Sequence, residues 1–463
     1  RDRFGEKPFY YAHGRNGEFI FASEIKAILA SGLVEPKLNQ EALSHYLQYG
    51  YVSTYQSIYS NIFSLPPAHQ LIWKEGEINV SRYYSLPKKD RVLSLSEAKE
   101  EFTYLLKSAI EKQLIADVEV GSFLSGGLDS SSVVAMVNEF LPHQTTISFG
   151  YDHEDSELKY AKEIAEKYNT QHIEVHEKKE DLVSGILKIA PFLDEPFADR
   201  SCVPHFEICK SARKNLKVVL SGDVGDELFG GYSFYKVEYE MKKHFAYQSL
   251  LAQSGLKLYQ NIRQISYISQ KNIQYSSILD FHQNEVRNFF DKNERASLGI
   301  TQNYQQPYSF DADKNSLNDI MRTDLEKFVP GNMLVKSDRM AMANSLEVRT
   351  PFLDIDFAEF CIQLPDQLKI TSDNDKIILR EAMNSYWTEA IRNRSKQGFG
   401  IGIKNWFEEE SLPKFPDELL KDKHQKIFDY IDFKAAQKFQ DKGQKHWNLL
   451  QLALWANHHS KFL

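Results

Sequence analysis

The sequence predicts an α/β protein: a parallel sheet with helices on both faces, behind a small mixed α/β region and ahead of a largely helical part. Three observations predict it. Between residues 117 and 232, apolar runs of strand length alternate with amphipathic runs of helix length, the rhythm of a parallel sheet. Before residue 86 the strand-like runs are joined by tight turns. Beyond Tyr232 helices and loops dominate, with no internal repeat and no low-complexity tract.

The elements follow in order. Residues 8 to 23, PFYYAHGRNGEFIFAS, read as a hairpin whose aromatic-rich arms flank Asn16-Gly17. SEIKAILAS is a short helix, and LNQEALSHYLQYG a second with Asn39 as its N-cap. LPPAHQLIWKEGEINVSRYY supplies two strands around Glu75-Gly76. Residues 86 to 95 are polar, contain a proline and read as a linker. The spacing of Phe102, Leu105, Leu106, Ile110 and Leu114 then makes an amphipathic helix. Strand DVEVGSFL, helix DSSSVVAMVNEF, strand TTISFG, helix DSELKYAKEIAEKYN and strand QHIEVH alternate. A further helix precedes LKVVLSGDVGDELFGGY, which opens as an apolar strand. Ligands of such sheets bind beyond the carboxyl ends of the strands, where both glycine-rich segments, 125–127 and 222–231, fall.

Composition narrows the function. The 463 residues suit two or three domains. A net charge of −8 gives no basic footprint, so nucleic acid is not an expected partner. No run of eighteen apolar residues points to a membrane, and no signal peptide is expected. Cys202, Cys209 and Cys361 form no CxxC pair, which argues against structural zinc and disulfides and fits a reducing, cytoplasmic location. His143, His153, His172, His176 and His205 lack metal-ligand spacing and read as structural or exposed.

The segment SFLSGGLDSSSVVAM, residues 122 to 136, runs strand, glycine turn, helix. It lacks the lysine that reaches the β- and γ-phosphates in the familiar phosphate loop. Gly126 and Gly127 let backbone approach an anion, and Ser125, Ser130 and Ser131 add hydroxyl donors. The helix beginning near Asp129 turns free N–H groups and its positive dipole end to the same place. Asp129 would repel a bare phosphate, so Mg²⁺ between them is expected. Such a loop favours pyrophosphate as the product, leaving AMP.

The string S-G-G-x-D-S-S after an apolar strand resembles the ATP pyrophosphatase loop. Four further segments narrow the resemblance: RDRFGEKPFYY at the start, LSGDVGDELFGGY at 220–232, LVKSDRMAMANSLEVRTPFLD at 334–354 and SKQGFGIGIKNWF at 395–407. Together they resemble the glutamine-hydrolysing asparagine synthetase family over the whole chain except roughly residues 240 to 310. The resemblance implies part of an N-terminal-nucleophile glutaminase domain at residues 1–88. It implies an adenine nucleotide alpha hydrolase-like synthetase domain at 89–463. The implied reaction amidates the aspartate side-chain carboxylate with ATP through β-aspartyl-AMP, giving asparagine, AMP and pyrophosphate.

The resemblance also implies roles. Ser125, Gly126, Gly127, Asp129, Ser130 and Ser131 would hold the pyrophosphate end of ATP, Leu124 and Phe149 the adenosine, and Ser221 and Gly222 a further part of ATP. Asp129 and Asp226 would share Mg²⁺, although an N-cap role also suits Asp226. Asp223 stands where many members carry Glu and would orient or deprotonate ammonia with a shorter reach, and Val224 replaces a usual small residue. Lys396 matches the lysine that stabilises charge during adenylation. Asp338, Arg339, Glu347 and Arg349 read either as a buried ion-pair network shaping the site floor or as direct substrate contacts.

Family members begin with a catalytic Cys, whereas this chain begins at Arg1 and has no Cys before Cys202. An amino-terminally truncated form is therefore expected, using ammonia directly where the intact protein uses glutamine. A homodimer is compatible with the resemblance. The competing readings are a family amidotransferase acting on another carboxylate, such as a sugar acid or biosynthetic intermediate, and a non-catalytic nucleotide-binding scaffold.

Overall fold

The computed structural model describes residues 1–151, 157–177, 182–242, 275–304, 312–394, 415–440 and 442–463. Strands β1 (Tyr10–His13) and β2 (Phe19–Ala22) form the predicted hairpin, with Tyr10 opposite Ala22. Helices α1 (Ile25–Ala30) and α2 (Gln40–Tyr49) follow. The Asn39 side chain caps α2 by accepting from the N–H groups of Glu41 at 3.1 Å and Ala42 at 3.3 Å. Strand β3 (Ile62–Ser64), which the sequence reading passed over, pairs antiparallel with β1 to give the order β2-β1-β3. Strands β4 (His69–Lys74) and β5 (Glu77–Arg82) form a separate ribbon.

Helix α3 (Leu95–Gln113) opens on a reciprocal cap between Ser94 and Glu97 and buries Phe102, Leu106 and Ile110. The predicted alternation then runs through β6 (Val120–Phe123), α4 (Leu128–Val137), β7 (Thr145–Tyr151), α5 (Leu158–Lys167) and β8 (Gln171–Glu177). It continues through α6 (Leu182–Ile189), α7 (Cys202–Ala212), β9 (Val218–Leu220) and α8 (Gly225–Phe229). A late strand, β10 (Glu347–Arg349), joins the edge, and the five parallel strands take the order β10-β9-β6-β7-β8.

Strand periodicity sorts the core. Val218 and Leu220 join the cluster of Phe102 on α3 and Val133 on α4, while Val219 joins Ile208 and Cys209 on α7. The sheet is thus covered on both faces, as expected. The chain runs outward from β6 to β8 and returns to β9 on the other side of β6. The direction of winding therefore reverses between β6 and β9, the position where open parallel sheets leave a crevice.

Beyond Tyr232 the described residues are mostly helical, including Leu317–Glu326, Leu334–Met342, Ile355–Gln363, Ile377–Met383 and Gln444–His458. The last helix packs on the amino-terminal region, where Tyr46 Oη donates to the Asn448 carbonyl at 2.7 Å. No helix among the described residues is long and apolar enough to cross a membrane.

The charged stretch from Asp338 to Arg349 does not form one network. Asp338 and Arg339 are buried and tie the two halves together: Asp338 pairs with Lys7 at 3.0 Å, and Arg339 with Asp194 at 3.3 Å and Glu24 at 3.6 Å. Glu347 and Arg349 instead lie on one face of the edge strand β10 and pair with each other at 2.7 Å. The buried ion-pair reading thus holds for Asp338 and Arg339 and not for Glu347 and Arg349, and none of the four lines the main cavity.

Candidate active site

A cavity of about 490 Å³ opens where β6 and β9 end. Its walls come from the loop after β6, the loop after β9, the start of α7 and the segment leading into helix Ile377–Met383. The two loops are packed against each other. A Cβ on Gly222 would lie 2.7 Å from the Ser130 nitrogen, and one on Gly225 2.5 Å from Asp129 Oδ1. A side chain at Gly222 would push the loop backbones apart, and one at Gly225 would displace the Asp129 side chain.

Gly127, the residue before helix α4, has no side chain to cap it, so the first N–H groups of the helix receive no side-chain cap and suit an anion. Ser130 Oγ accepts from the Ser125 N–H at 3.1 Å and meets Ser125 Oγ at 3.0 Å. Ser131 is fully buried in the first turn of α4, off the cavity wall, and its Oγ has no hydrogen-bond partner among the described residues. Gly126, at φ +70, also stays off the wall; a Cβ there would strike Tyr160 and Ala161 of α5 at 2.6 Å. Its glycine serves the turn and the approach of α5.

Asp129 and Asp226 face the same cation. Lys376 Nζ lies 2.7 Å from Asp226 Oδ1 and pairs with Asp129 Oδ2. Lys376 is buried, sits in the left-handed region at φ +50, and its N–H donates to the Phe229 carbonyl at 3.2 Å. Asp129 Oδ1 is buried and has no hydrogen-bond partner among the described residues. Two hard carboxylate oxygen donors, one of them unsatisfied, fit Mg²⁺.

Leu124 and Phe149 are buried and line the apolar side of the cavity with Phe123 and Ile208, a surface suited to a nucleobase. Ser221 Oγ accepts from the Asp223 N–H at 3.3 Å, and Asp223 Oδ2 accepts from Ser337 Oγ at 3.2 Å. Val224 lies at φ +71, which is costly for a β-branched residue, beside the proposed reactive loop. Lys396 and its surrounding segment lie outside the described residues.

Several wall residues were not singled out in the sequence. Arg200, Lys336, Lys376, Arg380 and Arg394 bring cationic side chains to the cavity. Arg394 Nη1 donates to the Ser125 carbonyl at 3.3 Å, and Arg380 pairs with Asp375 at 3.0 Å. Burial opposes the charge on Lys336, but Asp199 and Asp223 outweigh it and raise its pKa. His205, expected to be structural or exposed, lines the cavity; burial and then Lys336 push its imidazole down to about 4. The Lys376/Arg380 pair had a signal, two cations one helical turn apart at the start of an amphipathic run.

Strand-end loops, a helix terminus without a side-chain cap and a cationic wall suit a phosphate-bearing ligand. The chain belongs to the asparagine synthase family, whose model matches residues 101–457. A glutamine amidotransferase domain model matches residues 1–84. The chain is 27% identical to glutamine-hydrolyzing asparagine synthetase 1 of Bacillus subtilis, over 98% of this chain and 74% of that protein. It is 31% identical to a putative asparagine synthetase of Mycobacterium bovis, over 88% of this chain and 65% of that one. A putative asparagine synthetase 2 of Methanocaldococcus jannaschii is 40% identical over 52% of this chain and 48% of its own length.

Proposed function

We propose that this chain carries out ATP-dependent amidation of the aspartate side-chain carboxylate through β-aspartyl-AMP, releasing asparagine, AMP and pyrophosphate. The observation that carries the reading is the convergence of Asp129, Asp226 and Lys376 at the junction of two glycine-packed strand-end loops. A triphosphate seated there would meet the N-terminus of α4, the Ser125 and Ser130 hydroxyls and the loop at Ser221 and Gly222, with its base against Leu124 and Phe149. Asp129 and Asp226 would hold Mg²⁺, which when bound supplies charge neutralisation at the phosphates. Lys376 and Arg394 add fixed positive charge beside them, and Lys396 is assigned to the charge that develops during adenylation.

Asp223 is assigned to orienting ammonia and accepting its proton, with Ser337 fixing the carboxylate. Residues 1–88 are assigned to a glutamine amidotransferase region and 89–463 to the synthetase domain, with ammonia or glutamine as the nitrogen donor. ATP–pyrophosphate exchange with a panel of carboxylic acids tests the reading. Exchange that depends on L-aspartate supports it, exchange with another acid moves the acceptor, and no exchange with any acid favours a non-catalytic scaffold.

A further inference from the structure

We infer that Lys376 guards the metal site: its ammonium and a divalent cation take the same two carboxylates, so the chain holds that cation tightly only when a polyphosphate draws Lys376 away. The inference deepens the reading above, from which it takes Asp129 and Asp226 as the metal's ligands. Lys376 Nζ lies 2.7 Å from Asp226 Oδ1 and also pairs with Asp129 Oδ2, so one ammonium bridges both side chains. Asp129 Oδ1 has no hydrogen-bond partner among the described residues. That carboxylate keeps one oxygen for an incoming ion while Lys376 holds the other.

Geometry makes the two cations exclusive. Mg²⁺ bonds oxygen at about 2.0–2.1 Å. Bound to both carboxylates, it would crowd an ammonium that kept its own bonds to them, and two cations out of bulk water repel strongly. Lys376 is 5% exposed, and a buried ammonium that loses its carboxylates without gaining another anion is costly. Its backbone is held in place. The Lys376 N–H donates to the Phe229 carbonyl at 3.2 Å, and the Lys376 carbonyl accepts from the Arg380 N–H at 2.8 Å. Its stem packs on Gly231, where an added Cβ would lie 2.2 Å from Lys376 Cε. The end of the side chain is what can turn, and Lys376 lines the cavity. A triphosphate there offers the ammonium a more highly charged partner and frees both carboxylates for the metal. Mg²⁺ sites built on one or two carboxylates and completed by substrate phosphates are the usual kind.

Mn²⁺, which takes the same hard oxygen ligands and is counted by electron paramagnetic resonance, is the probe. Lys376→Gln keeps a polar side chain and removes the charge. Without nucleotide, it should bind Mn²⁺ on the order of tenfold more tightly than the parent does. Adding Asp226→Asn to Lys376→Gln should abolish that gain. Local damage to the site would move the affinity in the opposite direction. In the parent, α,β-methylene-ATP should raise Mn²⁺ affinity above that of the chain or the analogue alone. Equal or weaker Mn²⁺ binding by Lys376→Gln overturns the inference, as does a gain that survives Asp226→Asn. A parent that binds Mn²⁺ as tightly without the analogue as with it also overturns the inference, and that result needs no variant to fold. Absence of ATP–pyrophosphate exchange with every acid removes the ligase reading alone, because the Mn²⁺ titration of parent and Lys376→Gln uses neither ATP nor acceptor and still decides the role of Lys376.

Discussion

The two larger sheets of this chain differ in what covers them. The five-stranded parallel sheet has apolar clusters on both faces, and β6 and β9 are buried along their whole length. Among the described residues, the sheet β2-β1-β3 is covered on one face only. Tyr10, Ala12 and Ile62 point into the core, while Phe21, Phe63 and neighbouring Trp73 are 60%, 40% and 49% exposed. On that open face Phe9 stacks on Phe21 at 5.6 Å and Phe19 on Trp73 at 5.7 Å. A sheet clamped from both sides can hold its strand-end loops in close contact, with a left-handed valine between them. The one-sided sheet presents an apolar surface of the kind that associates or aggregates. The candidate chemistry belongs to the clamped sheet, and substitutions sharpen or break that contrast.

The largest effects are expected at the cations that serve the covered sheet. Lys376→Ala and Lys396→Ala should each slow ATP–pyrophosphate exchange by on the order of 10²-fold. For Lys396 the loss should fall on kcat more than on KM, because the charge it meets appears only as the reaction proceeds. Near-normal exchange in either variant removes that lysine from the mechanism.

Asp129→Asn and Asp226→Asn should shift the Mg²⁺ dependence of exchange to higher concentration, since each removes a hard anionic donor. A Mg²⁺ titration that superimposes on the parent's excludes that residue as a ligand.

Two valines test the strain at the strand end. Val219→Gly, within β9 and fully buried, should cost about 3 kcal/mol through lost burial and added chain freedom. Val224→Gly loses a side chain of the same size but relieves about 1–3 kcal/mol of left-handed strain, so it should cost about 2 kcal/mol or less. Equal losses on denaturant unfolding would mean that Val224 is not strained.

The seam between the two regions should respond to pH. Glu195 accepts from the Ile58 N–H at 2.7 Å and from Tyr10 Oη at 3.2 Å, and burial raises its pKa to about 7. A carboxyl with a raised folded pKa stabilises fully below its unfolded value near 4.5, and that contribution is lost as pH rises through about 7. Glu195→Gln should remove a component on the order of 2 kcal/mol from the fall in stability between pH 5 and 8. Parallel Tm profiles for parent and variant would contradict it.

Legibility in the sequence followed the same divide. The hairpin, the Asn39 cap and the β–α alternation were readable because periodicity and capping are local signals. Strands β3 and β10 were not, since three residues carry no period and the ladder partner alone makes them strands. The loop at Ser125–Ser130 was legible from its glycines and serines, but the inward turn of Ser131 depends on where helix α4 begins. Lys376 could not be tied to Asp129 across 247 residues without the fold that brings them together. Glu347 and Arg349 misled for the converse reason: charge in an apolar stretch suggested a site, while the edge of the sheet gave those side chains somewhere to go.

The central claim is that the crevice between β6 and β9 splits ATP between its α- and β-phosphates to activate aspartate. Product analysis with L-aspartate, Mg-ATP and ammonium tests it most directly. The expected result is AMP, pyrophosphate and asparagine in equal amounts, with the rate rising toward alkaline pH as free ammonia increases. ADP and phosphate as the stoichiometric products, or AMP without asparagine at saturating ammonium, would contradict it.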